Sequence, residues 1–114
     1  MIKEWFTEPA THDFFVEGYR CEIKRHSSLG FLCGYIYIPK THPDFGKDYD
    51  DVDVSVHGGL TYADSGCFGF DCGHHGDLVP SMECDDMGAV YRNMAFVEKQ
   101  LRSLATQFKD REDK

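Results

Sequence analysis

The residues able to do chemistry crowd into one stretch of the 114-residue chain, from His57 to Asp77. It begins His57-Gly58-Gly59-Leu60-Thr61-Tyr62 and closes with Gly69-Phe70-Asp71-Cys72-Gly73-His74-His75-Gly76-Asp77. Glycines bring backbone N–H groups close to a ligand, while His, Asp, Thr and Tyr supply acid–base and hydrogen-bonding groups.

Several chemistries fit this stretch. In binding without turnover, Gly58 and Gly59 cradle phosphates, Asp71 or Asp77 accepts from ribose hydroxyls, and Tyr62, Phe70 or Tyr35 stacks on a base. The ligand-binding candidates are then His57, Gly58, Gly59, Thr61, Tyr62, Asp71, His74 and Asp77. In general acid–base catalysis, His57 or His74 works with Asp71 or Asp77 as orienting partner, and the catalytic set is His57, Asp71, His74 and Asp77. Cys72, His74, His75, Asp77 and Cys84 are also competent ligands for zinc or another divalent metal, and His57 could join them. Cys72, His74 and Asp77 form the core of that metal set, although neither Cys-x-x-Cys nor His-x-x-x-His occurs. Cys72 as a nucleophile beside His74 or His57 needs an electropositive setting, which an acidic chain does not obviously give. Against all of these stands a plainer role, in which Asp71 and Asp77 cap turns and His74 satisfies a backbone carbonyl.

The surrounding elements must hold this stretch in place. Tyr19, Cys21 and Ile23 alternate with Arg20, Glu22 and Lys24, which predicts a strand, and Leu29 to Ile38 predicts its hairpin partner. Residues 39–49 carry two Pro and one Gly and read as a long loop, either functional or a plain crossover. Val52, Val54 and Val56 alternate with Asp51, Asp53, Ser55 and His57, predicting a second strand. Cys67 to Asp71, with Phe68 and Phe70 on one face, predicts another. Paired as a hairpin around Tyr62, these two strands would set Asp71 near Asp53 and His57 near Cys67. Residues 72–84 read as loop. From Asp85-Asp86 a helix is predicted, about 86–109, with Val90, Met94, Val97, Leu101, Leu104 and Phe108 as its apolar stripe. The expected fold is α+β: one domain over residues 1–114, a small antiparallel sheet of about four strands in two hairpins, covered by one C-terminal amphipathic helix.

Composition narrows the partners. Twelve Lys and Arg against twenty Asp and Glu leave a net charge of −8, which repels a nucleic-acid polymer but not a small nucleotide held by backbone amides. No run approaches the ~20 apolar residues of a membrane span, and the first residues lack a signal-peptide pattern, so no membrane partner and an intracellular protein are expected. Five cysteines, an odd number, argue for free thiols.

Gly30-Phe31-Leu32-Cys33-Gly34-Tyr35, Pro39 with His42-Pro43 and Gly46, Tyr49-Asp50, Val56 to Tyr62, and Gly69-Phe70-Asp71-Cys72 with His74, Gly76 and Asp77 together resemble a family of small uncharacterised bacteriophage and prophage proteins. The likeness runs from about Tyr19 into the C-terminal helix. Phe31 stands where that pattern commonly has His, and Cys67 or Phe68 where it commonly has Trp. The resemblance favours His74 over His75, which falls at a variable position. It implies an accessory, anti-defence protein in the cytoplasm of an infected bacterial host. Such a protein would bind a small nucleotide-derived signalling molecule, at an interface of a homo-oligomer, and sequester it. The rival expectation is a metal- or His-dependent hydrolase cleaving a phosphodiester of that signal. An acidic mimic of nucleic acid that inhibits another protein ranks below both.

Overall fold

The alternation at Tyr19, Cys21 and Ile23 is realised as β2 (Tyr19–Arg25), which pairs antiparallel with β3 (Leu32–Tyr37) in the predicted hairpin. The structure is a computed structural model that describes residues 3–82 and 88–112. A strand that the sequence pattern does not announce, β1 (Thr11–Val16), pairs on the outer side of β2. The turn joining them places Glu17 and Gly18 at φ +56° and +83°, the left-handed pair of a two-residue hairpin loop. On the other side of β3 lies β5 (Cys67–Asp71), and beyond it β4 (Tyr62–Asp64). The sheet is fully antiparallel, in the order β1-β2-β3-β5-β4, with five strands where about four were expected.

One face of this sheet is covered by α2 (Met94–Glu112). Val97, Leu101, Leu104, Ala105 and Phe108 are buried against Cys21, Ile23, Leu32, Ile36, Phe68 and Phe70. Burying each large apolar side chain contributes about 1.5–3 kcal/mol. Phe68 and Phe108 stack with ring centroids 5.2 Å apart. Gly34 permits the close approach, because a Cβ there would stand 2.6 Å from the Phe70 ring and 3.1 Å from Val97. The α+β class and the covering helix are as expected.

Two expectations are corrected. The helix does not begin near residue 86: Gly88 has φ +92°, Val90 is extended and bridges Asp77, and the first helical residue is Met94. Asp85 and Asp86, the predicted caps, lie outside the described residues. Asn93 caps instead, its Oδ1 accepting from Phe96 N–H at 2.9 Å, while Glu8 Oε2 accepts from Met94 N–H at 2.7 Å. Glu8 follows α1 (Glu4–Thr7), a single helical turn at the start of the chain. The spacing of Val90 from Met94 fits a helical stripe, but Gly88 breaks the helix that the stripe would extend.

The second correction concerns residues 51–57. Val52 is buried and Val54 and Val56 are half-buried, so the alternation is real, yet the segment joins no strand. Its backbone bonds to helix side chains: Ser55 N–H donates to Gln107 Oε1 at 2.7 Å, Gln107 Nε2 donates to Ser55 O at 2.8 Å, and His57 N–H donates to Gln100 Oε1 at 3.0 Å. Alternation reports which side chains face inward and leaves the backbone's partner open. The hairpin around Tyr62 therefore does not form. β5 turns back through Ser65 and Gly66 to β4, so Cys67 faces Asp64 and Tyr37 across the sheet, and it does not face His57.

The loop over residues 39–49 is fastened to the end of α2. His42, 3% exposed, donates from Nε2 to Phe108 O at 2.7 Å and accepts from Asp44 N–H at Nδ1. Asp44, 1% exposed, binds the Arg111 fork and Lys47. Among the described residues no helix is long and apolar enough to cross a membrane.

Candidate functional site

Three separate segments deliver polar groups to Asp77. The arm strapped to α2 ends at His57, the loop after β5 brings His74 and Asp77, and the extended lead into α2 brings Arg92. The Asp77 side chain is fully withdrawn from solvent. His57 Nε2 lies 2.9 Å from both its oxygens, Arg92 Nε donates to Oδ1 at 2.8 Å, and the His74 N–H donates to Oδ2 at 3.1 Å. Burial by itself would raise the Asp77 carboxyl, but the hydrogen bonds from Arg92, His57 and the His74 amide outweigh it and hold the group below the usual carboxylate range.

An ionised carboxylate only accepts, so the proton between His57 and Asp77 resides on Nε2. Nδ1 of His57 and the terminal nitrogens of Arg92 have no partner among the described residues. Phe96 braces both side chains: the His57 ring meets it edge-on at 5.1 Å, and the Arg92 guanidinium lies over it at 5.0 Å.

A second His–Asp pair stands beside the first. His74 Nε2 is 3.3 Å from Asp71 Oδ1, close enough for an ion pair but not aligned as a hydrogen bond, and this nitrogen is buried without a hydrogen-bond partner among the described residues. The His57 and His74 rings are 6.3 Å apart, centroid to centroid. Asp71 also accepts from Thr61 Oγ1 at 3.2 Å and from the Gly73 N–H at 3.0 Å. Gly58, at φ +70°, makes room for this arrangement, since a Cβ there would stand 2.3 Å from the His74 ring. Gly59, at φ +81°, faces open space.

Of the predicted site residues, His57, Gly58, Thr61, Asp71, His74 and Asp77 thus form one connected group. Tyr62 lies further along, on β4, with its ring edge-on to Tyr35. Phe70 is excluded as a stacking platform, because it is buried on the helix side of the sheet. His75 is exposed. Cys72 belongs to the core, 1% exposed, and burial pushes its thiol up to about 12, which disqualifies it as a nucleophile. Among the described residues no three His, Cys, Asp or Glu side chains are placed to hold a metal, so Cys72, His74 and Asp77 are not assembled as a ligand set; Cys84 lies outside them. Phe31 lies against Gly73 beside the site loop.

Arg92 and Phe96 are site residues that the sequence reading misses. Arg92 falls within the predicted helix, where a basic residue reads as solvated surface. Only the unwinding of residues 88–93 brings it to Asp77. No known family model matches the chain, and neither a curated protein nor a solved structure is detectably similar to it.

Proposed function

We propose that the chain is a binding protein for a small phosphorylated, nucleotide-type ligand, held at the Asp77 cluster and sequestered there. The observation that carries this reading is that one buried carboxylate fixes two cationic or cation-forming side chains, His57 and Arg92, while leaving further nitrogen atoms of each without a partner among the described residues. Side chains fixed in this way meet an anion with little ordering cost. The resemblance to small phage and prophage proteins makes a nucleotide signal of bacterial immunity the natural ligand, bound in the host cytoplasm.

The test is direct. Protein purified from signal-producing cells and heat-denatured should release a phosphorylated ligand detectable by mass spectrometry, and calorimetry should show at least tenfold weaker binding in Arg92→Ala and His57→Ala. An empty release together with flat titrations against cyclic dinucleotides and ADP-ribose derivatives would end this reading.

The side-by-side pairs His57–Asp77 and His74–Asp71 favour a second reading, acid–base hydrolysis of a phosphodiester by two histidines, each with its own carboxylate. Released product that disappears in both His57→Ala and His74→Ala would select it. Recovery of unchanged ligand selects sequestration.

A further inference from the structure

His57 meets Asp77 through one ring nitrogen and leaves the other unused. Nε2 lies 2.9 Å from each Asp77 oxygen, while Nδ1 has no partner among the described residues. Within the cluster the nitrogen that is both unpartnered and buried is His74 Nε2, so His57 Nδ1 reaches solvent. Bonds from Arg92 and the His74 amide help to keep Asp77 ionised, and the Nε2 proton of His57 is committed to it. In a neutral imidazole the second nitrogen is then a bare acceptor, with nothing to offer an oxyanion that also only accepts. Only the imidazolium presents an N–H at both ends, one for Asp77 and one for a ligand.

The charges around the ring point the same way. The loop after β5 sets Asp77 against Nε2 and the His74 ring 6.3 Å away, with Asp71 3.3 Å from His74 Nε2; it also carries the exposed His75. The lead into α2 supplies Arg92, already paired with Asp77. From α2, Phe96 meets the ring and Gln100 the His57 amide, both uncharged; Lys99 is exposed, and Glu98 pairs with His12 and Arg102. On the segment that bears His57, the nearest acid in sequence is Asp53, whose carbonyl lies 3.5 Å from Arg111. With both histidines neutral, Asp77 cancels Arg92 and Asp71 leaves an excess negative charge, on a chain of net charge −8. An incoming anion then gains little from Arg92. A proton on His57 offsets that excess where the ligand oxygen arrives.

We infer that the Asp77 cluster takes its ligand as a fully ionised oxyanion together with one proton, drawn from solvent onto Nδ1 of His57. The imidazolium donates Nε2–H to Asp77 and Nδ1–H to a ligand oxygen, beside the free N–H groups of Arg92. The inference rests on the phosphate-binding reading and adds its regulation: the ligand is held in mild acid and released as the medium turns alkaline. By reciprocity, the ligand raises the proton affinity of His57 by the factor by which the proton raises the affinity for the ligand. Mild acid leaves Asp77 in place, because its carboxyl is held below the usual carboxylate range.

Sulfate is the probe, because it stays a dianion with no proton to give across the range in which histidine titrates and leaves all pH dependence to the protein. Calorimetry on the full chain should show sulfate affinity falling as pH rises, approaching about tenfold per pH unit, with close to one proton taken up per ion at the alkaline end. Titrations repeated in buffers of different ionisation heat count that proton. Nitrogen NMR locates it: sulfate added at about pH 8 should move His57 Nδ1 to its protonated position, without the same change in His74. His57→Gln keeps an N–H donor for Asp77 but no titrating proton, so its sulfate binding should be weaker and flat with pH. Binding of equal strength at every pH, a slope that survives in His57→Gln, or a proton that settles on His74 overturns this inference and leaves the anion site standing. Absence of sulfate binding at every pH overturns the phosphate-binding reading and this inference with it.

Discussion

His57 Nε2 lies 2.9 Å from both oxygens of Asp77, a residue whose side chain is sealed from solvent. Removing that carboxylate leaves His57, Arg92 and the His74 amide without their common acceptor. Asp77→Ala should destabilise the fold by about 1–3 kcal/mol, the usual cost of orphaned polar partners, with the lower end favoured because His57 and Arg92 are partly exposed. Urea denaturation followed by circular dichroism measures it. A change within roughly 0.5 kcal/mol, the range of an ordinary surface substitution, would show that Asp77 organises nothing.

Acid should attack two places at once. Asp44 is held low chiefly by hydrogen bonds from Arg111, and Asp77 is held low against its own burial by Arg92 and His57. Both folded values lie below the ordinary 3.8, so the unfolded chain takes up protons first and stability is lost as pH falls. Denaturation midpoints should be insensitive to these two groups down to about pH 5 and drop progressively below about pH 4. In Asp44→Asn that acid-side drop should be shallower; an identical profile would exclude Asp44 as a contributor.

The two adjacent glycines should respond differently to a methyl group. Gly59→Ala meets only the cost of a left-handed backbone, about 1–2 kcal/mol. Gly58→Ala adds a collision with the His74 ring and should cost about 1 kcal/mol more. It should also shift the His74 imidazole resonances in an NMR spectrum. Equal losses without movement of His74 would mean that the ring does not need this glycine.

Glu8 reaches across the fold to the first turn of α2. In Glu8→Ala the Met94 N–H loses its acceptor, and Tyr91 and Arg25 lose a partner. A loss of about 1–2 kcal/mol is expected, together with faster hydrogen exchange at Met94. Unchanged exchange there would assign the capping to Asn93 alone.

Thiol chemistry should sort by depth. Burial pushes Cys21 up to about 11 and Cys72 up to about 12, and neither is accessible. Iodoacetamide at about pH 8 should therefore label these two only after denaturation, as read by peptide mass mapping. Labelling of Cys72 in the native protein would reopen its candidacy as a nucleophile.

These expectations mark what the sequence could and could not convey. Period-two patterning located β2 and β5 because each has one buried face, the aromatic and β-branched run over residues 29–38 located β3, and period-three-and-four spacing located the body of α2. β1 escaped because Phe15, exposed on the outer face, follows Phe14, facing inward, and two adjacent phenylalanines obscure the alternation. Residues 51–57 carry a strand's side-chain pattern without a strand's backbone partner. His57, Asp71, His74 and Asp77 were legible as a cluster through composition alone. Which carboxylate serves which histidine was not, because the arm strapped to α2 decides it. Arg92 was hidden by a helical spacing that Gly88 interrupts.

That strap has a mechanical consequence. Gln107 grips Ser55 by both its amide oxygen and its amide nitrogen, as a neighbouring strand would, and Gln100 takes the next amide but one. Val52, Val54 and Val56 of the same segment pack into the core that this helix covers. Residues 52–57 therefore take their backbone hold from the helix and not from the five-stranded sheet, so α2 sets where His57 stands against Asp77. Within this fold the helix does two jobs: its apolar stripe closes the core, and its glutamines stand in for the neighbouring strand that the segment bearing His57 lacks.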